Sequence, residues 1–223
     1  MPSTHNITTI SVTRYHQRIM TSPIHLSSPR RITASNLPLS GSNATSLHSE
    51  PGVEVLVDTL KSEPILGGAL IRSRIASHNK VPTSNDGHGK LELDQVPGMG
   101  IVLPGGLNVY YLDVAPNTEG VMHRTTSTDY LVVIQGTLSL LTPPNPFNIV
   151  DKQGTYGTPA ETLCKPGDIV LQRGIMHALS NRTSEWVRVV GMVVASEPNC
   201  VPVMGPGPAN QLDTTVLGDR WLQ

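Results

Sequence analysis

The sequence predicts an all-β protein, and three observations carry that expectation. The 223 residues include 20 Gly and 19 Pro, scattered along the chain, so the ordered elements between them are short and joined by turns. From Val53 to Ala195 the apolar residues fall in short alternating or continuous runs of the kind strands use. Helical periodicity is almost absent. At 223 residues, 38% of them hydrophobic, the chain suits one domain with extensions and can bury a real core.

The elements follow in order. The first 49 residues contain no Asp or Glu, four Arg (Arg14, Arg18, Arg30, Arg31) and many Ser and Thr. They read as a weakly ordered N-terminal arm packed on the domain or on a partner subunit, or alternatively as a transit segment. Val53–Val57 alternates like a half-buried strand. Ser77–Gly98, with Asn79, Pro82, Asn85, Gly87 and Gly89, reads as a long surface excursion. Strands are then expected at Ile101–Leu103 and at Asn108–Val114, the latter stopped by Ala115-Pro116-Asn117. Tyr130–Gln135 crosses Gly136 into Thr137–Thr142, and Pro143–Pro146 breaks the pattern. Ile169–Gln172 follows the turn Lys165-Pro166-Gly167-Asp168, and Trp186–Ala195 is the longest apolar strand. So many short strands mean a barrel or a sandwich. The organisation read from this is an arm over 1–50, a β domain over 51–199 and a tail over 200–223. That tail is mostly irregular, with a short closing segment at Leu212–Leu222.

Composition also excludes. A net charge of −1 leaves no basic stripe for neutralising phosphates, so nucleic acid is not an expected partner. No run approaches the roughly 20 apolar residues of a membrane span. Cys164 and Cys200 cannot form a disulfide framework and read as two reduced thiols. The expected localisation is cytoplasmic, with a mitochondrial transit segment as the other reading of the N-terminus.

Two blocks carry chemistry. The first is Gly120-Val-Met-His123-Arg-Thr125-Thr-Ser-Thr-Asp129-Tyr130, with Gly136 seven residues past Asp129. The second is Gly167-Asp168-Ile-Val-Leu-Gln172-Arg173-Gly174-Ile-Met-His177-Ala-Leu-Ser-Asn181. In order and spacing they resemble the two motifs of the cupin superfamily, in particular small cupins found beside fungal and bacterial secondary-metabolite genes. The resemblance spans roughly residues 100–196. It implies a cupin double-stranded β-helix, a jelly-roll barrel, with the arm outside it. It also implies a metal centre of His123, Asp129 and His177 holding Fe, Zn or Mn, and a homodimer paired through outer sheet edges. The chain departs from the motif at three points. Thr125 stands where the second His is usual, Asp129 stands where Glu is usual, and Gly167 to His177 is one residue tighter.

Elementary strand geometry agrees with such a site. Residues two apart on a strand face one side, so His123 and Thr125 are expected to share the interior. Asp129, Leu131 and Val133 rejoin that face, and Tyr130 points away. Of the adjacent Tyr110 and Tyr111, one faces inward. His5, His16, His25, His48, His78 and His88 fall in loops or in the arm. Arg188, eleven residues after His177, sits where some oxygenases anchor a co-substrate.

These residues suit two kinds of chemistry. His123, Asp129 and His177 can act as metal-free acid and base, or hold a divalent ion. Thr125, Tyr110 and Gln172 are the candidate substrate contacts. The leading expectation is an enzyme of secondary, polyketide-like metabolism that dehydrates, isomerises or rearranges a small apolar oxygenated substrate. The alternatives are an Fe(II) oxygenase with two His and one Asp, and a non-catalytic binder of small molecules.

Overall fold

The computed structural model describes residues 26–39, 49–203 and 213–223. Much of the expected arm, four of its histidines (His5, His16, His25 and His48) and the first residue of the closing segment, Leu212, lie outside the described residues. No helix among the described residues is long and apolar enough to cross a membrane.

The chain is built almost wholly of strands. They are β1 (Arg30–Asn36), β2 (Val53–Thr59), β3 (Ser62–Ile65), β4 (Leu70–His78), β5 (Leu107–Val114) and β6 (His123–Arg124). Next come β7 (Ser127–Gln135), β8 (Leu138–Thr142), β9 (Ile149–Val150), β10 (Gln153–Gly154), β11 (Ala160–Cys164) and β12 (Ile169–Arg173). The last are β13 (Ala178–Ser180), β14 (Val187–Ala195), β15 (Asn199–Val203), β16 (Asp213–Leu217) and β17 (Arg220–Trp221). A six-stranded antiparallel sheet in the order β12-β7-β14-β5-β4-β3 shares one core with a three-stranded sheet, β11-β8-β13.

Period-two alternation builds that core. Leu112, Val114, Val133, Val187, Val189 and Val193 from the large sheet meet Leu138 and Cys164 from the small one, and all are buried. Fully burying such a side chain contributes roughly 1.5–3 kcal/mol. Tyr110 belongs to the same cluster, opposite Gly191 on β14. A Cβ at Gly191 would stand 3.2 Å from the Tyr110 ring, so glycine there makes room for the phenol. The reversal from β7 to β8 uses Gly136 at φ 76°, where a Cβ would also meet the Trp186 carbonyl at 2.7 Å.

Most expected strands form within a residue or two of their expected bounds, and three findings differ. Val53–Val57 does alternate within β2, but its valines face outward, 56–60% exposed. Glu54, Leu56 and Asp58 hold the inner side instead: Asp58 binds Arg31, and Glu54 accepts the Gly89 N–H at 2.7 Å. Ile101–Leu103 is not a strand. Its neighbourhood is pinned by the buried Asn108 side chain, which donates to the Gly100 and Ile101 carbonyls at 3.1 and 2.8 Å. The nine-residue β4 in the large sheet carries Arg72 and Arg74, charges that hide its strand pattern.

Other expectations find direct counterparts. Residues 79–98 form no strand and are mostly exposed. Lys165-Pro166-Gly167-Asp168 closes as a turn, with the Asp168 carboxylate accepting the Lys165 N–H at 2.7 Å. Both cysteines are free. Within the stretch read as a weakly ordered arm, Arg30–Asn36 is instead a regular strand, β1, paired with β2, and the Ser27 carbonyl accepts from Arg188 at 2.7 Å.

Candidate functional site

The C-terminal segment and the first motif meet at one end of the sandwich. β6 and β17 pair with Trp221 opposite His123, and the Leu222 N–H donates to the Met122 carbonyl at 2.9 Å. Leu222 is buried with Met122, Leu141, Met176 and Ala178, a second apolar cluster that anchors the chain end. The indole of Trp221 therefore lies flat on the His123 ring, with centroids 4.2 Å apart and planes 7° apart.

The two motifs are joined by their histidines. His123 and His177 exchange both backbone hydrogen bonds at 2.8 Å, an isolated bridge that sets the rings 4.4 Å apart between centroids. Each ring is oriented by its own chain: Nδ1 of His123 meets the Val121 carbonyl at 2.9 Å, and Nδ1 of His177 meets the Ile175 carbonyl at 3.0 Å. A carbonyl only accepts, so both Nδ1 atoms carry the proton and both Nε2 atoms keep a lone pair. Burial holds both imidazoles neutral. It lowers the pKa of His123, and it lowers that of His177 to about 4, with His123 adding repulsion.

Asp129 lies on β7, opposite Gln172 of β12. Both are buried, and among the described residues Asp129 Oδ1 and both amide atoms of Gln172 have no hydrogen-bond partner. Burial raises the Asp129 pKa above the ordinary carboxylate range, with the Ser127 hydroxyl acting the other way. Desolvation, with the charge of Asp129, also pushes the Tyr110 phenol up.

One cavity of about 80 Å³ is lined by His123, His177, Asp129, Gln172 and Tyr110. Its apolar wall comes from Leu70, Ile101, Leu112, Leu131, Leu179 and Trp221. Five of the six residues expected at the site thus line one hollow. Thr125 does not: it is buried, its hydroxyl meets Ser127 at 2.9 Å, and it borders a neighbouring hollow beyond Trp221. The short β6 ends at Arg124, so strict alternation from His123 does not carry to Thr125.

The residues do not present a three-ligand metal site. Among the described residues, no group of three or more His, Cys, Asp or Glu side chains gathers so that it could hold a metal ion. His123 and His177 come together, while Asp129 lines the same cavity without completing such a group.

Other candidate residues have structural work. Arg188 is buried and bidentate to Asp113, at 2.6 and 2.7 Å, so it anchors β14 to β5 and does not enter the cavity. Tyr111 lies under the Arg188 guanidinium at 5.4 Å, leaving Tyr110 as the inward phenol. Asn181 is fully buried and bonds Val114, Thr183 and Glu185. Trp221 is the site residue that the motifs do not reveal. Its signal was the expected closing segment at Leu212–Leu222, which could not say where that segment docks.

The sheet order and the paired motifs define a cupin-type double-stranded β-helix fold. No family model matches the chain. Phomopsin biosynthesis cluster protein D of Diaporthe leptostromiformis is 35% identical over 100 residues, 44% of this chain and 46% of that protein. Cupin-domain-containing oxidoreductase fogC of Aspergillus ruber is 30% identical over 121 residues, 54% of this chain and 49% of that protein. The chain spans about half the length of these curated relatives. Among solved structures it resembles the polyketide cyclase RemF of Streptomyces resistomycificus, with TM-score 0.37 and 14% identity over 60% of this chain and 72% of that one.

Proposed function

We propose that this chain is a cupin-type enzyme of secondary metabolism that uses acid–base chemistry to dehydrate or isomerise a small, largely apolar oxygenated substrate. The observation that carries the reading is the imidazole pair with free Nε2 atoms, lining one hollow with a carboxyl whose pKa is raised. The relatives named for biosynthesis clusters support the metabolic setting.

In a dehydration, Nε2 of one imidazole takes the proton from the carbon beside a carbonyl. The Asp129 carboxyl gives its proton to the departing hydroxyl, which leaves as water, and the electron pair of the broken C–H bond forms the new double bond. The imidazolium then returns its proton to the carboxylate. In an isomerisation the same proton is delivered to a different carbon. The apolar wall excludes water, which strengthens both transfers.

The test is conversion, followed by mass spectrometry, of a panel of β-hydroxy ketones and hydroxylated aryl ketones. His177→Ala and Asp129→Ala are each expected to slow turnover by about 100-fold or more. Full activity in both variants overturns the proposal. A second reading, an oxidoreductase, is favoured by the names of two relatives. Oxygen consumption that depends on added iron supports it, and turnover under strict anaerobiosis excludes it.

A homodimer is also proposed, supported by the exposed apolar edge strand β12, whose Ile169 and Leu171 are 67% and 52% exposed. A monomer in light scattering overturns it.

A further inference from the structure

Among the described residues, the side chains that line the cavity carry four buried polar atoms without a hydrogen-bond partner: Asp129 Oδ1, Gln172 Oε1 and Nε2, and Arg72 Nε. We infer that Asp129 and Gln172 together form a recognition pair for a neutral ligand that carries a hydroxyl and a carbonyl on neighbouring positions. The inference rests on the cavity assigned above as the reaction site, and it names the substrate class that this cavity selects.

The first support is the hydrogen-bond inventory. Gln172 is 2% exposed and its Oε1 and Nε2 are both unpartnered among the described residues; Asp129 is 6% exposed and its Oδ1 is unpartnered. Buried polar groups in native proteins are almost always bonded, and leaving one unmade is costly. A pair of such side chains lining a hollow is built for something that fills the hollow.

The second support is register. Gln172 and Asp129 are direct cross-strand partners on β12 and β7, so their side chains leave the sheet side by side. One amide offers a donor and an acceptor, and the neighbouring carboxyl, held toward its protonated form by burial, offers a donor. Two ligand oxygens on adjacent positions match that spacing, one accepting and one donating.

The third support is charge. The two histidines are held neutral. In the one guanidinium among the described lining residues, that of Arg72, the two Nη atoms are engaged by the Met99 and Gly100 carbonyls and by Glu63, which supplies its countercharge, and Nε is left without a partner. An anionic ligand would enter a largely apolar hollow whose one cation is already paired with Glu63, which burial penalises. The apolar wall accepts the remainder of a neutral molecule, and the space admits a small ring or chain at most.

The experiment measures binding by isothermal titration with 2-hydroxyacetophenone, ethylbenzene and salicylate. The hydroxy ketone is expected to bind at least about tenfold more tightly than either of the others, as one well-made buried hydrogen bond corresponds to about a tenfold change in affinity. In Gln172→Leu this preference over ethylbenzene collapses to within about threefold. Gln172→Met serves the same purpose should the leucine variant fail to fold. Equal binding of the hydroxy ketone and ethylbenzene to the unaltered protein overturns the inference, as does a preference untouched by either variant. Turnover of the ketone panel is scored separately. Selective binding without turnover sinks the catalytic reading and leaves this one standing, whereas turnover without selectivity sinks this one alone.

Discussion

Acid should unfold this protein through His177 in a way that can be calculated. In the native chain its pKa is lowered to about 4, first by burial and then by repulsion from His123; free in solution the same imidazole titrates near 6.5. Between those two values the unfolded chain binds a proton that the native chain refuses, so native stability falls as the pH drops through that window. Across about two and a half pH units, at about 1.4 kcal/mol per unit, the loss from this one group approaches roughly 3 kcal/mol by pH 4. His123, lowered in the same direction, adds to it. Asp129 works the opposite way: its raised pKa stabilises the native chain below about 4, and that contribution is lost as the pH rises toward its native value. The comparison that isolates His177 is with His177→Asn, whose amide can still donate to the Ile175 carbonyl as Nδ1 does. Urea denaturation of both proteins at pH 7, 6, 5 and 4.5 should show the unaltered protein losing roughly 2–3 kcal/mol more than the variant. Parallel stability curves would refute the claim that a neutral, desolvated His177 sits at the centre of the site.

Three further outcomes follow from particular contacts. Trp221→Ala removes the ring stacked on His123 and admits water, so the His123 pKa should rise toward 6.5, which NMR titration of the ring protons would read. An unchanged pKa would mean that the indole does not shield the imidazole. Arg188→Met leaves Asp113 buried without its partner and should cost about 3–5 kcal/mol in urea denaturation, with no selective loss of ligand binding. Asn181→Ala strips a fully buried amide from the Val114 and Glu185 carbonyls and should cost roughly 1–3 kcal/mol.

Much of the large sheet was legible because its strands alternate cleanly. β5, β7, β12 and β14 are each bounded by turn residues, and in β5, β7 and β14 the buried aliphatic positions Leu112, Val114, Leu131, Val133, Val187, Val189 and Val193 carry the alternation. β4 was not, because Arg72 and Arg74 occupy the positions that an apolar residue would hold in a simpler strand; Arg72 instead reaches the cavity wall, where it bonds the Met99 and Gly100 carbonyls and Glu63. In β2 the alternation was visible, yet its outward side could not be told from its inward one. That choice depended on Arg31, far away in sequence, which offered Asp58 an ion pair.

The sequence by itself determined the class of fold and the two motifs that supply His123, Asp129, Gln172 and His177, because strand period and turn residues are local properties of the chain. Only the tertiary structure decided how those groups meet. It paired the two imidazoles across an isolated bridge, left Asp129 apart from them, turned Thr125 into a neighbouring hollow and laid Trp221 over His123. Each of those outcomes is a contact between residues distant along the chain, fixed by register and burial, and register is a property of two strands together.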